Sequence, residues 1–285
     1  MGAKMGILGP RGTHSEAAAE YLAALLPEPV ELSVCPGIYE VLQSVEEGEL
    51  ATGLVPVENS LEGSVGITLD TLARSDALEV ARELVWPVHN YLMAQPGERE
   101  VKRIYSHGQP LSQCRGYILA HYPHAELCTA SSTARAAQIV ADAPAGSGWA
   151  AICTRRGGEM NGLISIAGKI EDNAANSTRF FQVRRRGEGE RAQPAERMLV
   201  ICQIDGKRAG SLYEVLGEFA RRGVNLTRIE SRPARTELGA YIFFFDLETE
   251  APAGMLEESI DAVRARSIWL KCLGAFPVIM ASADM

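Results

Sequence analysis

The sequence predicts a mixed α/β chain in two parts: a two-lobed α/β domain, then a smaller βαββαβ domain of ferredoxin-like layout. Three observations predict it. Strand-like and helix-like segments alternate from the N-terminus, a second such series ends in a return segment at 164–184, and the pattern restarts after a polar stretch at 184–196. Alternation of this kind builds a mostly parallel sheet covered by helices.

In the first series, KMGILG reads as a strand and SEAAAEYLAALL as a helix with Ser15 at its N-cap. VELSVC follows as a strand, IYEVLQSVEEG as a helix stopped at Gly48, and LATGLVPVE as a strand. The second series holds two β-like runs in LEVARELVWPVHNYLMAQ, a strand at VKRIYSH, a helix at PLSQCRGYILAHY, a strand at ELCTA, a helix at STARAAQIVADA and a strand at WAAICT. Lobe 1 is therefore placed at about 1–80 and 165–184, lobe 2 at about 81–164, with a cleft between them suited to gripping a small ligand. RRRGEGERAQPAE is almost devoid of apolar residues, so 185–196 is expected to be an exposed linker. The segments RMLVICQI, GSLYEVLGEFARRG, VNLTRIESRP, GAYIFFFDLE, MLEESIDAVRARS and IWLKCLGAFP give the βαββαβ order over 197–276, leaving 277–285 as a tail.

Composition narrows the function. The 285 residues carry a net charge of −8, so there is no electrostatic footprint for nucleic acid. No apolar run is long enough to span a bilayer, and the N-terminus lacks a secretory pattern, so no membrane role and a cytoplasmic location are expected. The six cysteines, at 35, 114, 128, 153, 202 and 272, form no metal-type spacing, so reduced thiols and no metal site are expected.

Four polar motifs fall where strands meet helices or loops. GPRGTHS (9–15) lies between the first strand and the first helix, where glycines and a helix N-terminus suit an anion. It is neither a P-loop nor a dinucleotide fingerprint. VPVENSLEGSV (55–65) and SHGQPLSQC (106–114) put polar side chains near the ends of strands. In NSTRFF (176–181), Arg179 is either a carboxylate clamp or a member of a surface ion pair. Each motif alone also has a purely structural reading, as a turn, a cap or an ion pair.

Together and in order, these motifs resemble the signature of the prephenate dehydratase family. GPRGTHS resembles its GPxGT(F/Y)S loop, VPVENSLEGSV its P-x-ENSxxGxV segment, SHGQPLSQC its SHPQALxQC segment, and IEDNAANSTRF the element that carries its catalytic threonine. GSL (210–212) and NLTRIESRP (225–233) resemble the amino-acid-binding motifs of attached ACT domains. His14, Gly108, Pro110 and Ser211 depart from the family pattern. The resemblance implies a type II periplasmic-binding-protein-like catalytic domain and a regulatory ACT domain. It implies decarboxylative dehydration of prephenate to phenylpyruvate without a cofactor, inhibition by L-phenylalanine, and a homodimer or homotetramer joined through ACT domains. Arogenate dehydratase and a non-catalytic amino-acid sensor are the competing readings.

On this resemblance Thr178, Asn59, Ser60 and Gln109 are the expected catalytic group. Thr13, Gly12, Gly63, Ser106, His107, Arg179 and Phe180 are expected to bind substrate. Gly210, Ser211, Leu212, Asn225, Leu226, Thr227, Glu230, Ser231, Arg232 and Pro233 are expected to bind phenylalanine.

Overall fold

The structure, a computed structural model, describes residues 2–189, 194–236 and 239–282. Parts of the expected linker (190–193) and tail (283–285) lie outside the described residues. Lobe 1 runs β1 (Ala3–Leu8), α1 (His14–Leu25), β2 (Val30–Cys35), α2 (Ile38–Glu46), β3 (Thr52–Asn59), β4 (Gly63–Ser64), α3 (Gly66–Arg74) and β5 (Leu78–Pro87). Lobe 2 runs β6 (Tyr91–Ala94), β7 (Arg103–Ser106), α4 (Gly108–Gln113), α5 (Arg115–His121), β8 (Glu126–Thr129), α6 (Thr133–Ala141), β9 (Trp149–Cys153), α7 (Arg155–Glu159) and β10 (Ile164–Gly168). The chain returns to lobe 1 as β11 (Ser177–Arg185). The C-terminal domain comprises β12 (Arg197–Gln203), α8 (Ser211–Arg221), β13 (Leu226–Pro233), β14 (Tyr241–Glu248), α9 (Met255–Arg266) and β15 (Trp269–Phe276), and β16 (Val278–Met280) follows it.

The lobe 1 sheet has the order β16-β5-β11-β3-β1-β2, with β4 paired to β3. Lobe 2 has the order β10-β6-β9-β7-β8, and the C-terminal sheet β13-β14-β12-β15. Four expectations need correction. The return segment divides, because β10 pairs with β6 in lobe 2 and only β11 re-enters lobe 1. The supposed tail is partly a strand, since β16 adds to the edge of lobe 1 beside β5. The helix expected at 110–122 is two short helices broken at Cys114, whose φ/ψ of −109°/15° is not helical. The N-cap of α1 is Thr13, not Ser15.

Packing explains the arrangement. Met5, Ile7, Leu22, Leu54, Leu84 and Phe180 form a core under α1 on one face of the lobe 1 sheet. On the other face, Val41, Leu42, Leu69 and Phe181 meet Leu199, Ile201, Phe244 and Phe276 from the C-terminal sheet. That sheet buries its opposite face, with Val200, Phe245 and Leu247, under α8 and α9. The C-terminal domain therefore packs on the back of lobe 1 through an apolar interface.

The lobes meet where the loop before α1 touches the start of α7. Gly12, at φ +80°, approaches Gly157 so closely that a Cβ on Gly157 would sit 2.5 Å from Gly12 O. Thr154 Oγ1 donates to Gly12 O at 2.8 Å across the same seam. Both glycines are required by this approach of two backbones.

Candidate active site

A cleft of about 280 Å³ opens between the lobes. It is lined by Thr13, His14 and Ser15 from α1 and its cap, Ser131, Ser132 and Thr133 at the start of α6, and His107, Gln109 and Gln113 from α4 and its cap. Asn59, Asn90, Asn176, Thr178 and Phe180 complete its polar and aromatic wall. No Lys, Arg, Asp or Glu is among the described lining residues. Positive potential therefore comes from N–H groups. The N-termini of α1 and α6, helices of 12 and 9 residues, face the cavity, and the first turn of α1 takes no side-chain cap bond. Helix N-termini carry about half a positive charge and suit carboxylates.

Thr178 sits at the start of β11 opposite Asn59 at the end of β3. Asn59 Oδ1 accepts from the N–H groups of Leu61 and Glu62, at 3.0 and 3.2 Å. This tight turn fixes the amide orientation and aims Nδ2 at Thr178 Oγ1 (3.0 Å) and Asn176 Oδ1 (2.9 Å). Because Thr178 Oγ1 accepts from Asn59, its own proton is available to a ligand. Asn176 Nδ2 in turn donates to Gln113 Oε1 at 3.1 Å, tying β11 to lobe 2.

His14 stands in the same cavity with Nε2 buried and without a partner. Burial lowers its pKa to about 4, with the neighbouring His89 adding to the effect and Glu171 opposing it. The cleft thus presents a neutral imidazole at pH 7.

The structure gathers only part of the expected set. Thr178, Asn59, Gln109, Thr13, His107 and Phe180 line the cleft. Ser60 does not: its Oγ donates to Ala175 O and accepts from Ser177 N, bracing the turn against β11. Gly12 spends its N–H on the buried Glu16 carboxylate at 2.6 Å. Gly63 pairs with Asn59 in the short β3–β4 ladder, away from the cavity lining. Ser106 is fully buried and donates to Ile152 O at 2.6 Å.

Arg179 is the main correction. Adjacent residues of a strand face opposite sides of a sheet, so with Thr178 in the cleft Arg179 points to the back. There Nε and Nη2 grip Glu83, each at 2.8 Å, while Nη1 bonds Glu58 at 2.8 Å and Nη2 lies 2.7 Å from Asp246 of β14. It bridges lobe 1 and the C-terminal domain, its guanidinium committed to these carboxylates. Burial opposes its charge, but these carboxylates outweigh that and hold its pKa above normal. Reasoning from sequence also left out Asn90, Asn176 and Gln113. Asn176 and Gln113 lie inside the quoted motifs, whereas Asn90 carries no local signal.

The C-terminal residues divide by face. Glu230 and Arg232 of β13 turn toward lobe 1: Ser64 Oγ donates to Glu230 Oε2 at 2.9 Å, and Arg232 Nε donates to Asp70 at 2.6 Å. Thr227, Ser231 and Pro233 are exposed, as is Asn225 just before the strand, whose Nδ2 donates to Glu248 at 2.9 Å. Gly210 caps α8 at φ +84°, Ser211 Oγ donates to Arg208 O, and Leu212 and Leu226 pack on the helix-side core.

A two-lobed α/β fold with a neutral, hydrogen-bonding cleft and an appended ferredoxin-like domain defines a ligand-gripping enzyme with a regulatory module. The family model described as prephenate dehydratase matches residues 5–188, and that of the ACT domain matches 200–264. The chain belongs to the prephenate dehydratase family, carbon–oxygen lyases, and carries an ACT domain. It is 33% identical to the prephenate dehydratase of Methanocaldococcus jannaschii over 94% of this chain and 96% of that one. Its fold is similar to that of an Arthrobacter aurescens prephenate dehydratase solved with L-Phe, at TM-score 0.85 and 34% identity, covering 96% and 90% of the two chains. A protein described as a novel type of quorum quenching acylase is also similar, at TM-score 0.83 and 26% identity, covering 96% and 98%. Among the described residues, no helix is long and apolar enough to cross a membrane.

Proposed function

We propose that the cleft binds prephenate as a dianion and that Thr178 assists its decarboxylative dehydration to phenylpyruvate. The observation that carries this reading is the Asn59–Thr178 pair. Asn59 occupies the acceptor side of the hydroxyl, so Thr178 donates its proton into the cleft, toward the departing ring hydroxyl. Loss of carbon dioxide and water restores ring aromaticity, so the residues need to hold, orient and assist departure, with little covalent chemistry. The N-termini of α1 and α6, with Thr13, Gln109 and His107, hold the carboxylates, and Phe180 supports the ring.

The catalytic unit spans 1–184 and the regulatory unit 197–276, joined by 185–196. L-Phenylalanine binds the regulatory unit between the start of α8 and the exposed face of β13, and lowers turnover. β13 is an edge strand, so a second chain docks beside it and gives a homodimer or homotetramer. The enzyme works in the cytoplasm.

The test is phenylpyruvate absorbance on addition of prephenate, with arogenate run alongside. Thr178→Ala lowers kcat by about 10²- to 10³-fold with unchanged thermal stability, and Thr178→Ser keeps part of the activity. Near-normal turnover in the Ala variant removes Thr178 from the mechanism. Saturating phenylalanine that changes neither turnover nor melting temperature removes the regulatory half.

A further inference from the structure

Asn90 lies at the hinge, where the chain passes from β5 into β6 and crosses the returning segment before β11. Its backbone is clamped on both sides: the N–H donates to Glu171 Oε2 at 2.9 Å and the carbonyl accepts from Ile170 N at 3.1 Å. One turn of the crossing away, Val88 N donates to Asn176 O at 2.9 Å. The side chain is held in place, lines the cleft, and is 1% exposed. Yet neither Nδ2 nor Oδ1 has a hydrogen-bond partner. A buried carboxamide left unpaired at both ends is costly to the fold, and fully preorganised for a ligand.

Three other amides of the cleft are committed. Asn59 Nδ2 serves Thr178 and Asn176, Asn176 Nδ2 serves Gln113, and Gln113 Nε2 reaches Glu62 at 3.4 Å. With no Lys or Arg among the described lining residues, a dicarboxylate must be met by neutral N–H and O–H donors. Asn90 supplies a buried pair that nothing in the protein uses.

We propose that Asn90 is a further substrate-binding residue, its amide donating to an anionic oxygen of the substrate at the floor of the hinge. This rests on the prephenate reading above. Because the hinge floor moves little when lobes rotate, Asn90 fixes the substrate's position while the walls close around it.

The experiment compares Asn90→Leu and Asn90→Asp with wild type, by steady-state kinetics on prephenate and by melting of the ligand-free protein. Leu has nearly the same shape without polar atoms, so the ligand-free variant melts at or above the wild-type temperature. Its kcat/KM falls by about 10- to 100-fold, as for a lost hydrogen bond to a charged group. Asp replaces the donors with like charge and loses more. Unchanged kinetics in either variant, or a Leu variant that melts several degrees lower while keeping its KM, overturns the proposal and makes Asn90 a structural residue. If Leu does not fold, Asp decides on KM alone. Wild type that fails to convert prephenate defeats the parent reading only, and the ligand-free melting comparison still decides whether Asn90 is unpaired.

Discussion

Replacing Arg179 with Met tests the assignment of this residue to the domain junction. The substitution keeps the length of the side chain and removes its charge. Glu83 and Asp246, with side chains 0% and 1% exposed, then lose their main cation. Some compensation remains, because Arg197 stands 3.3 Å from Glu83 and Arg228 stands 3.2 Å from Glu58. Removing one partner from a buried pair costs about 3–5 kcal/mol, which for a chain of this size lowers Tm on the order of 10 °C. The pH dependence has a definite sign. Burial already pushes the Asp246 carboxyl up, against the pull of Arg179 and Arg228, and without Arg179 it rises further. A carboxyl whose folded pKa exceeds its unfolded value loses stability as pH rises through that interval. The deficit of the variant is therefore greatest at neutral pH and shrinks as pH falls toward about 4. Urea unfolding of both proteins at several pH values measures this, and prephenate KM is measured alongside. A deficit below about 1 kcal/mol, a deficit that does not shrink in acid, or a raised KM at unchanged stability refutes the reasoning.

His14→Phe removes a group whose pKa is lowered to about 4 by burial. The unfolded chain binds more protons than the native one between pH about 4 and about 6.5, so wild-type stability climbs with pH across that window, by at most about 3 kcal/mol. The Phe variant shows a flatter profile there in denaturant titrations, and an unchanged slope would mean that folding does not lower the His14 pKa. Gly157→Ala places a Cβ 2.5 Å from Gly12 O and forces the lobes apart at their seam. Prephenate kcat/KM falls by about 10²-fold or more, and wild-type kinetics would show that the seam is not rigid.

The strand–helix alternation was legible because period-2 and period-3.6 patterns survive without tertiary information. The C-terminal order was legible for the same reason, since each of its strands and helices is bounded by Gly, Pro or a polar turn. The β16 strand was not, because Val278–Met280 is short and gains its partner only by returning to β5. The break at Cys114 was hidden for a different reason. The residues on both sides form helices, and only the non-helical backbone of the junction separates them. In the site, Asn59 and Thr178 were legible as motif members. Arg179 was misread although its neighbour held the signal: if Thr178 faces the cleft, strand geometry turns Arg179 away. Asn90 and His14 could not be found from spacing, because their significance is an unmet hydrogen bond, which exists only once everything around them is packed.

The regulatory half also serves as a wall of the building. Since Leu199, Ile201, Phe244 and Phe276 close over Phe181 and Leu42, a fragment ending near residue 188 would bare a greasy, water-facing sheet. The two halves consequently cannot behave as beads on a string. Calorimetry is therefore expected to give a single endotherm for the whole chain, and two separate transitions would refute the coupling.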